Sequence, residues 1–247
     1  MSLLDIAQQL SSQLNTHRFS NPVRYVYNPF EYAFEGYRKY VLRYGEEAKT
    51  VVFVGMNPGP WGMVQTGVPF GDVPSVRDWL GISAEIRQPS HLHPKRPVMG
   101  FKCHRSEVSG TRVWGWAKSR FGDPESFFRR CFIANYCPLA FFDEAGRNIT
   151  PDKLRKHDRD HLFTVCDRAI LETVKILDAR YVIGFGTFVY RRLVENLLND
   201  TLDVSMVTHP SPANPRANKG WQGIMDLHPV IQKVMLEVNT RFEDPQK

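Results

Sequence analysis

The chain has 247 residues, a formal net charge of +6 and 42% apolar residues, which allows one large domain or two small ones and a well-filled core. No apolar run approaches the roughly 20 residues that span a bilayer, and Met1 to Leu14 lacks the pattern of a secretory signal. No membrane partner is therefore expected, and the protein reads as intracellular: cytoplasmic in a bacterium, nuclear in a eukaryote.

Residues 2–17 read as a helix, with Leu3, Ile6, Leu10 and Leu14 at helical spacing and Ser2 or Asp5 as its cap. A second helix is predicted over 29–44, carrying an aromatic stripe through Tyr32, Tyr37 and Tyr40. Val51-Val52-Phe53-Val54-Gly55 has the β-branched character of a buried parallel strand. Residues 83–110 read as irregular, broken by Pro89, Pro94 and Pro97. A strand over 131–134 runs into Asn135-Tyr136-Cys137-Pro138. Then follow a helix over 158–177, a strand over 181–184, a helix over 187–198, a strand over 204–208 and a helix over 221–238. Strands alternating with helices predict a three-layer α/β/α fold, with a central, mainly parallel sheet of four strands. No linker or repeat divides the chain, so 1–247 reads as one domain and a monomer is expected. Cys103, Cys131, Cys137 and Cys166 show no C-x-x-C spacing, and are expected as small core residues in a reducing compartment.

Two segments share one construction, an apolar strand followed by a loop rich in Pro and Asn. One is Met56-Asn57-Pro58-Gly59-Pro60-Trp61-Gly62, the other His209-Pro210-Ser211-Pro212-Ala213-Asn214-Pro215. Loops past the carboxyl ends of parallel strands line the ligand crevice of an open α/β sheet, so Asn57 and His209 are expected to share a pocket. The first loop has no Lys and is no phosphate-binding P-loop. Gly184-Phe185-Gly186 reads as a tight turn. No G-x-S-x-G is present, and Ser211 lies between prolines, which argues against a serine hydrolase.

Asn57, Asn135 and His209 offer an amide to hold a water, an amide to pair with another amide-like edge and an imidazole to donate to a developing anion. That set suits breaking a bond to a stable anionic leaving group, such as a nucleobase. An amide matches the O4 and N3–H edge of uracil, and cytosine reverses both groups, at a penalty of roughly 1–3 kcal/mol for each one left unpaired. Phe70, in the stiff Gly67-Val68-Pro69-Phe70-Gly71, packs into the core or stacks on a base. The proline-stiffened stretch from Pro210 to Lys219 suits a wedge pushed into a duplex, and the net positive charge leans toward polyanions.

Gly55-Met56-Asn57-Pro58-Gly59 through Pro69-Phe70-Gly71 resembles the first motif of the single-strand-selective monofunctional uracil-DNA glycosylases, and His209-Pro210-Ser211-Pro212 through Gly220-Trp221 resembles their second. His93-Pro94-Lys95-Arg96-Pro97, Ser106-Glu107-Val108-Ser109-Gly110 and Asn135-Tyr136-Cys137-Pro138-Leu139 match between them. The resemblance runs from about residue 25 to 235, leaving the first helix outside. It implies the uracil-DNA glycosylase fold, no cofactor and no metal. It also implies removal of uracil and C5-oxidised uracils, notably 5-hydroxymethyluracil, from single- and double-stranded DNA.

By the same resemblance, Asn57 positions the water and His209 stabilises the transition state. Asn135 reads the base and Phe70 stacks on it. Met56, Gly59 and Met63 belong to the base pocket, with Gly59 and Met63 on its C5 side. Pro210, Ser211, Pro212, Ala213, Asn214, Arg216, Asn218 and Lys219 belong to the DNA-binding wedge. Two positions depart from the family: Ala213 stands where vertebrate relatives carry Arg, with Arg216 as its substitute, and Trp61 stands where Phe is usual. The competing expectations are a non-catalytic module binding damaged DNA or a nucleobase, and a hydrolase of free nucleosides.

Overall fold

A computed structural model describes residues 1–197 and 202–239, with the side chains of 237–239 outside the description. Its helices are α1 (Leu3–Asn15), α2 (Pro29–Tyr32), α3 (Phe34–Tyr44), α4 (Met63–Thr66), α5 (Val108–Phe121), α6 (Pro124–Phe128), α7 (Lys156–Ile176), α8 (Thr187–Leu197), α9 (Pro215–Asn218), α10 (Trp221–Asp226) and α11 (Pro229–Asn239). The strands are β1 (Tyr25–Tyr27), β2 (Val51–Gly55), β3 (Cys131–Asn135), β4 (Ala140–Phe142), β5 (Asn148–Ile149), β6 (Tyr181–Phe185) and β7 (Asp203–Val207).

The central sheet has the order β3-β2-β6-β7 and all its pairs are parallel. Val52 lies between Phe132 and Val182, and Phe53 between Ile133 and Ile183. β2 is buried at every residue, which is why its sequence is a continuous apolar run rather than an alternating one. On one face Phe53 meets Trp116 of α5, Phe127 of α6 and Phe185 of β6, and Phe185 meets Trp221 of α10. On the other face Phe132 packs on Tyr40 of α3, and a Cβ on Gly184 would touch Tyr190 and Leu193 of α8. Helices thus cover both faces, as the alternation of strands and helices predicts. All four cysteines are buried and free.

Several predicted elements need correction. The helix expected over 29–44 is two helices parted at Ala33. Asn28 caps the first through its side chain, and the break seats Ala33 and Gly36 against a neighbouring turn, where a Cβ on Gly36 would lie 1.9 Å from the Thr66 carbonyl oxygen. The helix expected over 221–238 is divided before Pro229, which lacks an N–H and disfavours helix in the residue ahead of it. The predicted end of α8, at 198, lies outside the described residues. The irregular stretch ends at Val108, where α5 begins. α5 carries two glycines and several β-branched and aromatic residues, all weak helix formers, and is held by burial of Trp114 and Trp116. A small antiparallel sheet, β1-β4-β5, was not foreseen, because strands of two or three residues show no period.

Ordered packing fixes the irregular stretch beside the central sheet. The buried Gln65 donates to the Pro60 and Pro97 carbonyls at 2.9 and 3.0 Å, and its Oε1 accepts from Met99 and Gly100 N–H at 2.7 and 3.2 Å. One side chain thereby stitches the loop after β2 to residues 97–100. The His93-to-Pro97 motif is likewise structural here. The His93 N–H donates to the Tyr27 hydroxyl at 2.7 Å, and that hydroxyl donates to the Arg96 carbonyl at 2.9 Å.

Candidate active site

The chain runs from β2 to β3 on one side and then returns across β2 to β6 on the other. A crevice is expected at the carboxyl ends of strands where the order reverses in this way. A cleft of about 600 Å³ opens there, and Asn57, Met63, Phe70, Glu107, Asn135 and His209 are among the residues that line it. The structure therefore brings together the polar residues expected from the ends of β2, β3 and β7, and adds others that were not expected, Glu107, Ser109, Asn148 and Thr150. Met56 and Gly59 line the same cleft.

Asn57 is pinned by its amide nitrogen. Nδ2 donates to the Leu139 carbonyl at 3.1 Å, which leaves Oδ1 as a half-buried acceptor. Asn135 is the last residue of β3, and its Nδ2 lies 3.3 Å from the Met63 sulfur. That contact turns the donor end of the amide toward Met63. A Cβ on Gly55 would lie 2.5 Å from Asn135 Oδ1 and 2.5 Å from Phe70 Cε2. Gly55 is thus the floor on which the Asn135 amide and the Phe70 ring meet, and only a residue without a side chain fits.

Phe70 is held in a left-handed conformation, φ 55°, which costs a non-glycine residue roughly 1–3 kcal/mol unless its surroundings enforce it. They do so through its carbonyl. The Trp114 indole N–H donates to it at 3.1 Å, the Asp72 N–H donates at 2.7 Å, and a Cβ on Gly110 would sit 2.1 Å from the same oxygen. The ring then stands edge-on to Phe185 at 5.2 Å and 6.5 Å from the His209 ring. Gly55→Ala should push the Phe70 ring and the Asn135 amide off these positions. The expected loss in kcat/KM is on the order of 10²-fold, typical of a misplacement of about 1 Å. Steady-state kinetics on the substrate proposed below decide it, and unchanged kcat/KM would remove Gly55 from the site.

His209 lies just past β7, whose end is tied by the Trp221 indole donating to the Thr208 carbonyl at 2.6 Å. The Ser211 N–H donates to His209 Nδ1 at 3.1 Å. Nδ1 is therefore an acceptor, and a neutral ring carries its proton on Nε2. Burial pushes the His209 pKa down to about 4. The imidazole is neutral at pH 7 and presents one N–H, a protonation state that the sequence alone leaves open.

Glu107 enters from the start of α5. A Cβ on Gly59 would lie 2.2 Å from Glu107 Oε2, and one on Gly62 would lie 3.0 Å from Glu107 Cγ. Gly59 is thus small because the Glu107 side chain fills the space beside it. Burial pushes the Glu107 carboxyl up, against the pull of the Ser109 and Trp61 backbone N–H groups. The expectation that Gly59 simply leaves room for a substrate gains this second cause.

The wedge segment divides. Ser211, Pro212, Ala213 and Asn214 line the cleft, with Pro212 and Ala213 at an exposed tip. Asn214 also caps α9, its side chain accepting from the Arg216 N–H at 3.0 Å. Pro210 is buried, and its carbonyl accepts from Arg112 at 2.9 Å. Asn218 accepts from Arg112 at 2.9 Å and donates to the Pro212 carbonyl at 2.9 Å. Pro210 and Asn218 therefore shape the loop and do not line the cleft. Arg216 and Lys219 are exposed on and just after α9, outside the cleft lining. Arg112, which the sequence reading passed over, anchors the whole segment from α5.

This fold and this cleft place the chain among known proteins. The family model of the uracil DNA glycosylase superfamily matches residues 42–225, and the chain belongs to that superfamily. It is similar to the single-strand selective monofunctional uracil DNA glycosylase of Bos taurus, 49% identical over 218 residues, which cover 87% of this chain and 80% of that protein. The protein of that name from Rattus norvegicus is 47% identical over 216 residues, covering 87% of this chain and 78% of its own. A crystal structure of Pedobacter heparinus SMUG2 has the same fold, with a TM-score of 0.65, 17% identity and cover of 99% of this chain and all of that one.

Proposed function

We propose that this chain is a DNA glycosylase that hydrolyses the N-glycosidic bond of uracil in DNA and leaves an abasic site. The observation that carries the reading is a pair of polar ends in one cleft with no partner among the described residues: Asn57 Oδ1 as acceptor and His209 Nε2–H as donor. The names of the relatives, with their single-strand selectivity, agree with it.

The deoxyuridine turns out of the stack into the cleft, at a cost of a few kcal/mol that is least for an unpaired base. Its ring lies against Phe70. Its O4 accepts from Asn135 Nδ2 and its N3–H donates to Asn135 Oδ1. The C1′–N1 bond breaks with oxocarbenium character on the sugar and negative charge on uracil O2. His209 Nε2–H donates to that oxygen. Asn57 Oδ1 orients a water whose oxygen bonds to C1′, and the proton that water loses ends on solvent or on the departing base. Asn57 has no carboxylate to accept that proton, so it positions the water and does not act as a base. Among the described residues no lysine lines the cleft, and this supports release of the base by water, without imine formation or a strand break. Release of free base, measured on oligonucleotides carrying uracil or cytosine at one site, tests the reading. Release from the cytosine strand, or from neither, would overturn it.

The C5 edge of the base follows from the Asn135 contact. With Nδ2 on O4 and Met63 beside Nδ2, the C5 position faces the side of the cleft formed by Gly59, Gly62 and Met63. This supports acceptance of C5-oxidised uracils such as 5-hydroxymethyluracil. Gly59→Tyr must displace the flexible end of Glu107 before its ring reaches the base. Activity on 5-hydroxymethyluracil should then fall more than activity on uracil. Equal losses, repeated in Glu107→Ala, would show that the position serves the loop and not selectivity.

The reading extends to both single- and double-stranded DNA. Ala213 brings no charge to the loop tip, and the exposed Arg216 lies one turn away on α9. Arg216→Ala should weaken activity on paired uracil more than on unpaired uracil, because only a duplex needs its gap held open. Lys219→Ala should weaken binding to all DNA alike and lower its salt dependence. The ratio of single-turnover rates on the two substrates decides it, and an unchanged ratio removes Arg216 from the wedge.

A further inference from the structure

Away from the cleft, imidazoles gather where the loop after α1 meets the start of α7. His17, His157 and Asp158 bring three ligand atoms within 4.8 Å of one another. His17 Nε2 and Asp158 Oδ1 are 2.8 Å apart. Asp158 is 1% exposed, and its second oxygen accepts from the Ser20 N–H at 3.0 Å and from the Ser20 hydroxyl. Ser20 therefore fixes the carboxylate with Oδ1 toward His17. His161 follows one turn after His157 on the same helix face. Its ring stacks on that of His17, with centroids 4.4 Å apart and planes at 13°. Its Nε2 is buried with no hydrogen-bond partner among the described residues.

An ion pair between His17 and Asp158 would by itself explain their bond. It leaves unexplained a second and a third imidazole at the same place, one with a buried nitrogen that has no partner among the described residues, where buried polar atoms are ordinarily bonded. Imidazoles with one carboxylate are the ligand set of borderline divalent metals, and two histidines at i and i+4 are a zinc-binding spacing on a helix. A ligating carboxylate held from outside by a hydroxyl and an N–H is the usual supporting arrangement.

We propose that His17, His157 and Asp158 form a site for a divalent transition metal with the chemistry of zinc, and that His161, its ring turning out of the stack on His17, supplies the fourth ligand. The metal takes the His17 Nε2 lone pair, and the imidazole hydrogen moves to Nδ1. Asp158 Oδ1 exchanges the imidazole N–H for the metal. The site joins the loop after α1 to α7, and none of its residues lines the cleft, so it acts on the seating of α1 and not on base release.

The test uses the full chain, stripped with a chelator and titrated with Zn²⁺ by calorimetry, with thermal unfolding followed alongside. One equivalent of Zn²⁺ should bind and raise Tm. His157 is exposed, so His157→Ala should keep the metal-free Tm. It should weaken binding by at least about 10–100-fold, the loss that follows even from removing an outer partner of a ligand. His161→Gln should weaken binding as well. Co²⁺ in place of Zn²⁺ should show the visible absorption of a four-coordinate ion in the wild type and lose it in His157→Ala. No binding to the wild type, or binding unchanged in both variants, would overturn the proposal.

Discussion

Asn57→Ala is expected to slow base release by about 10²-fold or more at saturating DNA, while affinity for the DNA stays within a few-fold of the wild type. The loss follows from one atom. Nδ2 of Asn57 is committed to the Leu139 carbonyl, so Oδ1 is the group left to orient a water. On the proposed reading, truncation removes the holder of the water and leaves the loop tip, Arg216 and Lys219 in place for the phosphates. Asn57→Asp is the informative companion. Its carboxylate can accept a proton from the water as well as orient it, so it should retain more activity than the alanine variant. Single-turnover rates with enzyme in excess, beside direct binding measurements, separate the two effects. A near-normal rate in Asn57→Ala would remove this residue from the chemistry.

His209→Ala should lower the chemical step by ~10²–10³-fold, the usual loss for one donor to a developing oxyanion. The pH dependence is the finer test of its state. The His209 pKa is lowered to about 4, from an ordinary value of 6.5. Between those values the folded protein holds the ring neutral while the unfolded chain takes up a proton. His209 therefore subtracts stability as pH falls from about 6.5 toward 4, and costs nothing above that window. In kcat/KM, which reports the free enzyme, no inflection from this residue should appear between pH 8 and about 5. An inflection near 6.5 that vanishes in His209→Ala, with activity falling as pH rises through it, would mean that the ring is solvated and cationic when it acts.

The strand ends were the legible part of this chain. Val51 to Val54 is a largely β-branched run that suits a buried parallel strand, and a strongly polar residue at or just past each of three such strands points into one crevice. What could not be read comes from segments far apart in sequence. Glu107 reaches Gly59 from the start of a helix that carries two glycines and several β-branched and aromatic residues. Gln65 joins Pro60 to Pro97, and Arg112 joins Pro210 to Asn218, through bonds that no local pattern announces. The neutral state of His209 depends on the Ser211 N–H and on burial, both properties of the folded loop. The division of the helix before Pro229 was available in the sequence, since proline forbids the hydrogen bond a continuous helix requires.

The most direct measurement incubates the wild-type protein with a 5′-labelled single-stranded oligonucleotide containing one uracil, then resolves the strand with and without hot alkali. Hydrolysis of the glycosidic bond by water predicts an intact strand without alkali and a single break at the uracil after it. An intact strand in both lanes would contradict base excision and leave a binding module. A break without alkali would contradict the water-only chemistry assigned to Asn57 and His209.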